Sequence, residues 1–181
     1  MFKDVLTKEE ITNITNLYKY KNDQTQHILS LYLQKYMIKK HFDLEYNTIK
    51  IKKNEFGKPY FENTKGFEFN ISHDKDYVIG VCGYSKIGVD ILNINNKMNI
   101  QIFNKLDKKI INIINKNPHF NMIKMWSLIE SYFKAIGIGM RYDFNNLLIN
   151  NKTIQYLDYD VLNYKHIIFK DFLICISFDR L

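Results

Sequence analysis

With 181 residues and a net charge of +7, the chain is long enough for one substantial core or two small packed halves, and its basicity suits an acidic partner such as nucleic acid, a phosphorylated cofactor or an acidic protein. No apolar run is long enough to span a bilayer, and Met1-Phe2-Lys3-Asp4 does not open a secretory signal, so the expected location is the cytoplasm. The lysines are spread along the chain without an aromatic-basic module of the RNA-binding type, no Cys/His cluster has zinc spacing, and no acidic run has the form of a calcium loop.

In chain order, Thr7 is a cap for a short helix over 8–18, with Glu9 and Glu10 in its first turn. The stripe Ile28, Leu31, Leu33, Tyr36, Met37 predicts a longer helix over 24–40. A short strand is expected over 46–51, then a turn or loop at Asn54-Glu55-Phe56-Gly57-Lys58-Pro59-Tyr60. Residues 67–71, 77–82 and 86–92 read as strands, with Gly83-Tyr84-Ser85 closing a hairpin between the last two. A helix over 99–116 is broken by Asn117-Pro118, and the next, over 120–136, is stopped by Gly137. Segments 147–150, 153–158, 162–169 and 172–178 read as an antiparallel meander that turns at Lys170-Asp171. Cys82 and Cys175, both in apolar stretches, are expected as buried free thiols.

Three blocks carry chemistry: Phe69-Asn70-Ile71-Ser72-His73, Ile87-Gly88-Val89-Asp90-Ile91, and Trp126-Ser127-Leu128-Ile129-Glu130-Ser131-Tyr132-Phe133-Lys134. Asp90 interrupts an apolar strand, so something must compensate a costly buried carboxylate: a metal ion, a lysine or the strand's end near solvent. Glu130 and Lys134 share a helix face at i,i+4; they are either a surface ion pair or, beside Asp90, part of a site in which two carboxylates hold Mg²⁺ and the amine meets a phosphate. His73 follows a strand beside the charged turn Asp74-Lys75-Asp76 and is expected to be accessible, able to donate to a phosphate oxygen. It makes a poor nucleophilic pair with Ser72, because adjacent residues in extended chain point apart. Lys58, held between Gly57 and Pro59, is either an anion contact or an incidental loop lysine. His27, His41, His119 and His166 read as structural or surface residues, and Gly137-Ile138-Gly139 as a helix stop, not a dinucleotide fingerprint. Together the blocks are equipment for metal-assisted chemistry on a phosphate ester.

In these blocks the chain resembles the 4'-phosphopantetheinyl transferase superfamily, in its larger, pseudo-dimeric (surfactin-synthetase-activating) type. The resemblance runs from Phe56-Gly57-Lys58-Pro59 through the serine–histidine and aspartate blocks to Glu130 and Lys134-Ala135-Ile136-Gly137, covering roughly residues 23–140. It implies an α+β fold of two similar halves, each with helices packed on an antiparallel sheet. Residues 1–94 would carry the Ser-His and Asp motifs and 95–181 the Trp-Glu-Lys helix, with the active site between them. It further implies Mg²⁺-dependent transfer of the phosphopantetheine arm of coenzyme A onto a serine of an apo acyl or peptidyl carrier protein, releasing adenosine 3',5'-bisphosphate. By the same resemblance Asp90 and Glu130 would hold Mg²⁺, and Lys134 and His73 would contact the coenzyme A phosphates. Ser72 and Lys58 would bind the nucleotide part, and Asp90, Glu130 and Lys134 would carry catalysis. An acidic carrier protein is the implied partner, with no nucleic acid and no membrane, for an enzyme that acts as a monomer.

Three departures from the family pattern stand out. Leu92 stands where many members have a second strand acid, Ile129 where many have a lysine before the helix glutamate, and Gln26 and His27 near a common arginine. The alternative these losses support is a weakened relative that binds coenzyme A or a carrier protein as a regulatory or scaffold module. A different nucleotide-dependent phosphotransferase would need a Gly-rich Lys-Ser/Thr loop, which the sequence lacks.

Overall fold

A computed structural model describes residues 4–62, 64, 66–139 and 144–179; Met1, Phe2 and Lys3 of the opening segment lie outside them. Helix α1 (Lys8–Leu17) starts at a complete capping box, in which the Thr7 hydroxyl accepts from the Glu10 N–H and the Glu10 carboxylate accepts from the Thr7 N–H. Helix α2 (Lys21–Phe42) ends at Asp43, which takes a left-handed conformation and donates its N–H to Lys39. The buried Lys35 ammonium ties the two helices together, 2.6 Å from Glu10. After a short hairpin of β1 (Ile51–Lys53) and β2 (Pro59–Phe61), strands β3 (Glu68–Asp74) and β4 (Tyr77–Gly83) form a second antiparallel pair under α2. Met37, Ile38, Phe61, Phe67 and Phe69 fill the space between them.

The rest of the chain builds a five-stranded antiparallel sheet of β5 (Ile87–Asn93), β6 (Leu147–Ile149), β7 (Thr153–Tyr156), β8 (Leu162–Phe169) and β9 (Phe172–Phe178), in the order β5-β9-β8-β7-β6. Helices α3 (Lys108–Lys116) and α4 (Pro118–Ile136) cover it over a core that includes Phe103, Ile114, Ile129, Phe133, Ile154 and Leu162. Pro118 opens α4, where its missing N–H costs nothing, and Gly137 closes it at φ 77°. The fold is therefore α+β, with two sheet-containing regions flanked by helices. Strand β5, just before residue 94, ladders with β9 in the C-terminal sheet.

Four local expectations change. The hairpin expected at Gly83-Tyr84-Ser85 does not form: β4 pairs with β3 across the tight Lys75-Asp76 turn, where Lys75 is left-handed, and β5 pairs with β9. Strand β3 runs on to Asp74, so Ser72, His73 and Asp74 lie within it. The helix expected over 99–116 divides into a short 3-10 turn at Ile100–Phe103 and α3, because the Asp107 carboxylate accepts from the Lys109 N–H and starts a new helix. The strand expected over 46–51 is a 3-10 turn at Tyr46–Thr48 followed by β1, with the Thr48 hydroxyl donating to the Glu45 carbonyl. Both cysteines are free; Cys175 is buried, and Cys82 is half-buried beside His41. Among the described residues no helix is long and apolar enough to cross a membrane.

Candidate active site

The site is assembled where α4 crosses β5. A Cβ on Gly88 would lie 2.1 Å from the Ser131 carbonyl oxygen and 2.4 Å from the Ala135 nitrogen, so only glycine lets the helix backbone come this close to the strand. One turn along the helix and two residues along the strand, Lys134 and Asp90 meet. The Lys134 ammonium donates to Asp90 Oδ1 at 2.6 Å and to Ser72 Oγ at 3.0 Å. The Ser72 hydroxyl donates to Asp90 Oδ1 at 2.9 Å and accepts the Ile91 N–H at 3.3 Å. Glu130 sits one turn before Lys134, its carboxylate 4.0 Å from the ammonium.

This is an electrostatically loaded arrangement. Asp90 is only 4% exposed, and its Oδ2 is buried without a hydrogen-bond partner. Burial raises the Asp90 pKa, while the Lys134 charge and the Ser72 hydroxyl act to lower it. Burial likewise raises the Glu130 pKa, with Lys134 opposing and Asp90 reinforcing the rise. An orphaned carboxylate oxygen beside a second carboxylate suits a hard cation that takes oxygen ligands and keeps several waters. Asp90 and Glu130 therefore fit Mg²⁺, although among the described residues no three His, Cys, Asp or Glu side chains cluster as a ready-made cage. Leu92, where a further acid would complete such a set, supplies no ligand.

Glu130, Lys134, Asn70, Phe133, Gly57 and Lys58 line a cleft of about 260 Å³ between α4 and the 54–59 loop. Lys58 belongs to its wall, but its ammonium is engaged, donating to Glu68 at 2.6 Å and to the Ala135 carbonyl at 2.7 Å. Asn54 shapes this loop: its side-chain oxygen accepts the Phe56 and Lys58 N–H groups, and its amide donates to the Gly137 carbonyl at 2.9 Å. Nothing in the sequence marks Asn54 for this role, because a side chain that serves its own loop and a distant helix end leaves no periodic signal.

The structure thus brings Asp90, Lys134, Ser72 and Glu130 together and puts Lys58 at the rim. His73 is exposed and lies against α2. Its ring meets His27 edge-on at 5.4 Å, and His27 stacks on Tyr18 at 3.8 Å. Loss of water on the side of the ring that faces its neighbours, then the Lys134 charge, lowers the His73 pKa; burial, then His73 itself, lowers that of His27. His27, read from sequence as structural or surface, is the direct neighbour of a candidate phosphate contact.

Comparisons with known proteins converge on the same family. A family profile described as "4'-phosphopantetheinyl transferase, N-terminal" matches residues 1–84. The chain is 29% identical over 133 residues to the 4'-phosphopantetheinyl transferase gsp of Aneurinibacillus migulanus, covering 71% of this chain and 55% of that protein. It is 26% identical over 125 residues to the 4'-phosphopantetheinyl transferase Sfp of Bacillus subtilis, covering 67% and 56%. It is also 27% identical over 129 residues to the human L-aminoadipate-semialdehyde dehydrogenase-phosphopantetheinyl transferase, covering 61% and 42%. The chain spans about half the length of the curated relatives it matches. In motif order and in these similarities, the chain is similar to 4'-phosphopantetheinyl transferases over up to 71% of its length.

Proposed function

We propose that the chain transfers the 4'-phosphopantetheine group of coenzyme A to a serine of an apo acyl or peptidyl carrier protein, releasing adenosine 3',5'-bisphosphate, as a holo-[acyl-carrier-protein] synthase of the pseudo-dimeric type. The observation that supports this best is the Asp90–Lys134–Ser72 network with Glu130 one turn away, set beside a cleft and containing a buried carboxylate oxygen without a partner. In this reading residues 1–94 and 95–181 are the two halves, and coenzyme A lies in the cleft between them.

Asp90 and Glu130 would hold Mg²⁺, which when bound neutralises charge on the coenzyme A pyrophosphate. Lys134 lies within reach of both carboxylates and supplies a cation for phosphate oxygens. Glu130, or a water that the metal would hold, would take the proton of the incoming serine hydroxyl. Ser72 orients Asp90, and it meets the nucleotide part only by giving up that bond. Lys58 does so by exchanging its Glu68 partner, and His73 reaches a phosphate from the α2 side. The acidic carrier is steered by the +7 charge and the enzyme acts as a monomer in the cytoplasm.

Asp90→Ala and Glu130→Ala are each expected to abolish transfer, by about 100-fold or more, while the circular dichroism spectrum stays that of the wild type. Full activity in either variant would sink the assignment of these carboxylates. Leu92 and Ile129 favour the second reading, a binding module; Ile129 is fully buried and offers no contact to a phosphate. Coenzyme A binding without transfer to any carrier would select that reading.

A further inference from the structure

Strands β3 and β5 run side by side in the same direction, yet belong to different sheets. What joins them is a set of side chains. Asn70 Oδ1 accepts the Val89 N–H at 3.1 Å, Ser72 Oγ the Ile91 N–H at 3.3 Å, and Asp74 Oδ2 the Asn93 N–H at 2.6 Å, each pair offset by 19 residues. The same Asp74 oxygen also accepts from the Asn96 amide at 2.9 Å. Alternation along β3 puts Asn70, Ser72 and Asp74 on one face and sends Phe69 and Ile71 into the core under α2. The β5 amides that would otherwise be orphaned at a sheet edge are satisfied by polar side chains, and the constant offset fixes the register of one strand against the other.

Asp90 lies between the first two of these bonds. We infer that Asn70 and Asp74 are positioning residues that act through β5, holding the Asp90 carboxylate in register with Ser72 and Lys134. This rests on the transferase reading above. Asp74 is not among the residues lining the cleft, and Asn70, although it lines the cleft, acts on Asp90 through its side-chain bond to the Val89 amide. A displacement of about 1 Å at a reacting centre costs on the order of 100-fold in rate, so a loosened join is read in turnover before it is read in affinity.

The test uses Asp74→Ala, Asp74→Asn and Asn70→Ala in the full chain. Asp74→Ala and Asn70→Ala are expected to lower kcat at least tenfold with the KM for coenzyme A changed less than threefold. Asp74→Asn, which keeps an acceptor oxygen, is expected to restore kcat to within threefold of the wild type. Amide hydrogen exchange supplies a readout independent of activity. Asp74→Ala should speed exchange at Asn93, and Asn70→Ala at Val89, each at least tenfold, with the β8 and β9 amides unchanged. Unchanged kcat in both alanine variants, or equal loss in Asp74→Asn and Asp74→Ala, would overturn the inference. If the wild type transfers nothing, the transferase reading fails and exchange alone decides: localised loss of protection supports the join, and unchanged protection refutes it. If Asp74→Ala does not fold, Asn70→Ala carries the same test.

Discussion

Asp90 shows how one residue's surroundings define a site. Its Oδ1 serves both Lys134 and Ser72, while its Oδ2 is enclosed and unpartnered. Leaving a buried charged oxygen unsatisfied costs more than an ordinary lost hydrogen bond, and the proposed Mg²⁺ would remove that cost by taking Oδ2 as a ligand. Leu92, two residues on, is the obvious place to add a ligand. Leu92→Glu is expected to lower the Mg²⁺ concentration for half-maximal transfer by about tenfold, read from a Mg²⁺ titration at saturating coenzyme A. An unchanged titration would mean that water already fills the place. Asp90, Glu130 and Lys134 stand out in the sequence as candidates because a carboxylate in an apolar strand and an i,i+4 pair are local anomalies, and the fold brings the three near one another. Asp74 was misread as part of a charged turn, since its role depends on Asn93 and Asn96, partners that only the tertiary fold brings near.

At the scale of elements, the α4–β5 crossing decides whether Lys134 reaches Asp90. Gly88→Ala would drive a methyl group into the α4 backbone, which cannot yield as a flexible side chain would. It is expected to cost about 3 kcal/mol or more, a fall in Tm of roughly 6–12 °C by calorimetry, and a variant within 1 °C of wild type would contradict the close packing. Strand β8 meets the other end of α4 through His166, whose Nε2 lies 3.1 Å from the Lys124 carbonyl and so carries the proton. Burial pushes the His166 pKa down from 6.5 to about 4. The unfolded chain therefore takes up a proton at a higher pH than the folded one, and stability falls as pH drops from about 6.5 toward about 4. His166→Gln should flatten that part of the stability–pH curve in urea titrations; an identical curve would exclude the assignment. Periodicity revealed the β8–β9 hairpin at its observed bounds and α4 from residue 120, two residues after its start at Pro118, because apolar spacing and end signals agree. It did not reveal which strands would pair: β4 and β5 are consecutive and joined by a turn-like segment, but β5 finds its partner in β9, far along the chain.

At the scale of the whole molecule, two sheet-containing regions meet along a polar join, and the candidate site lies on it. The division of labour is physical: each region has its own apolar core, and the polar side chains Asn70, Ser72 and Asp74 lie along the join, where the proposed phosphate-bearing ligand would bind. The net charge of +7 would add long-range attraction for the proposed acidic carrier, an effect that weakens as salt rises. The central claim is transfer itself. The most direct measurement is the intact mass of a panel of apo carrier proteins after incubation with the protein, coenzyme A and Mg²⁺. The expected result is the gain of one phosphopantetheine on a carrier, lost when EDTA is added or when Asp90 is replaced by alanine; unchanged masses across the panel with no measurable coenzyme A binding would contradict the proposed transfer.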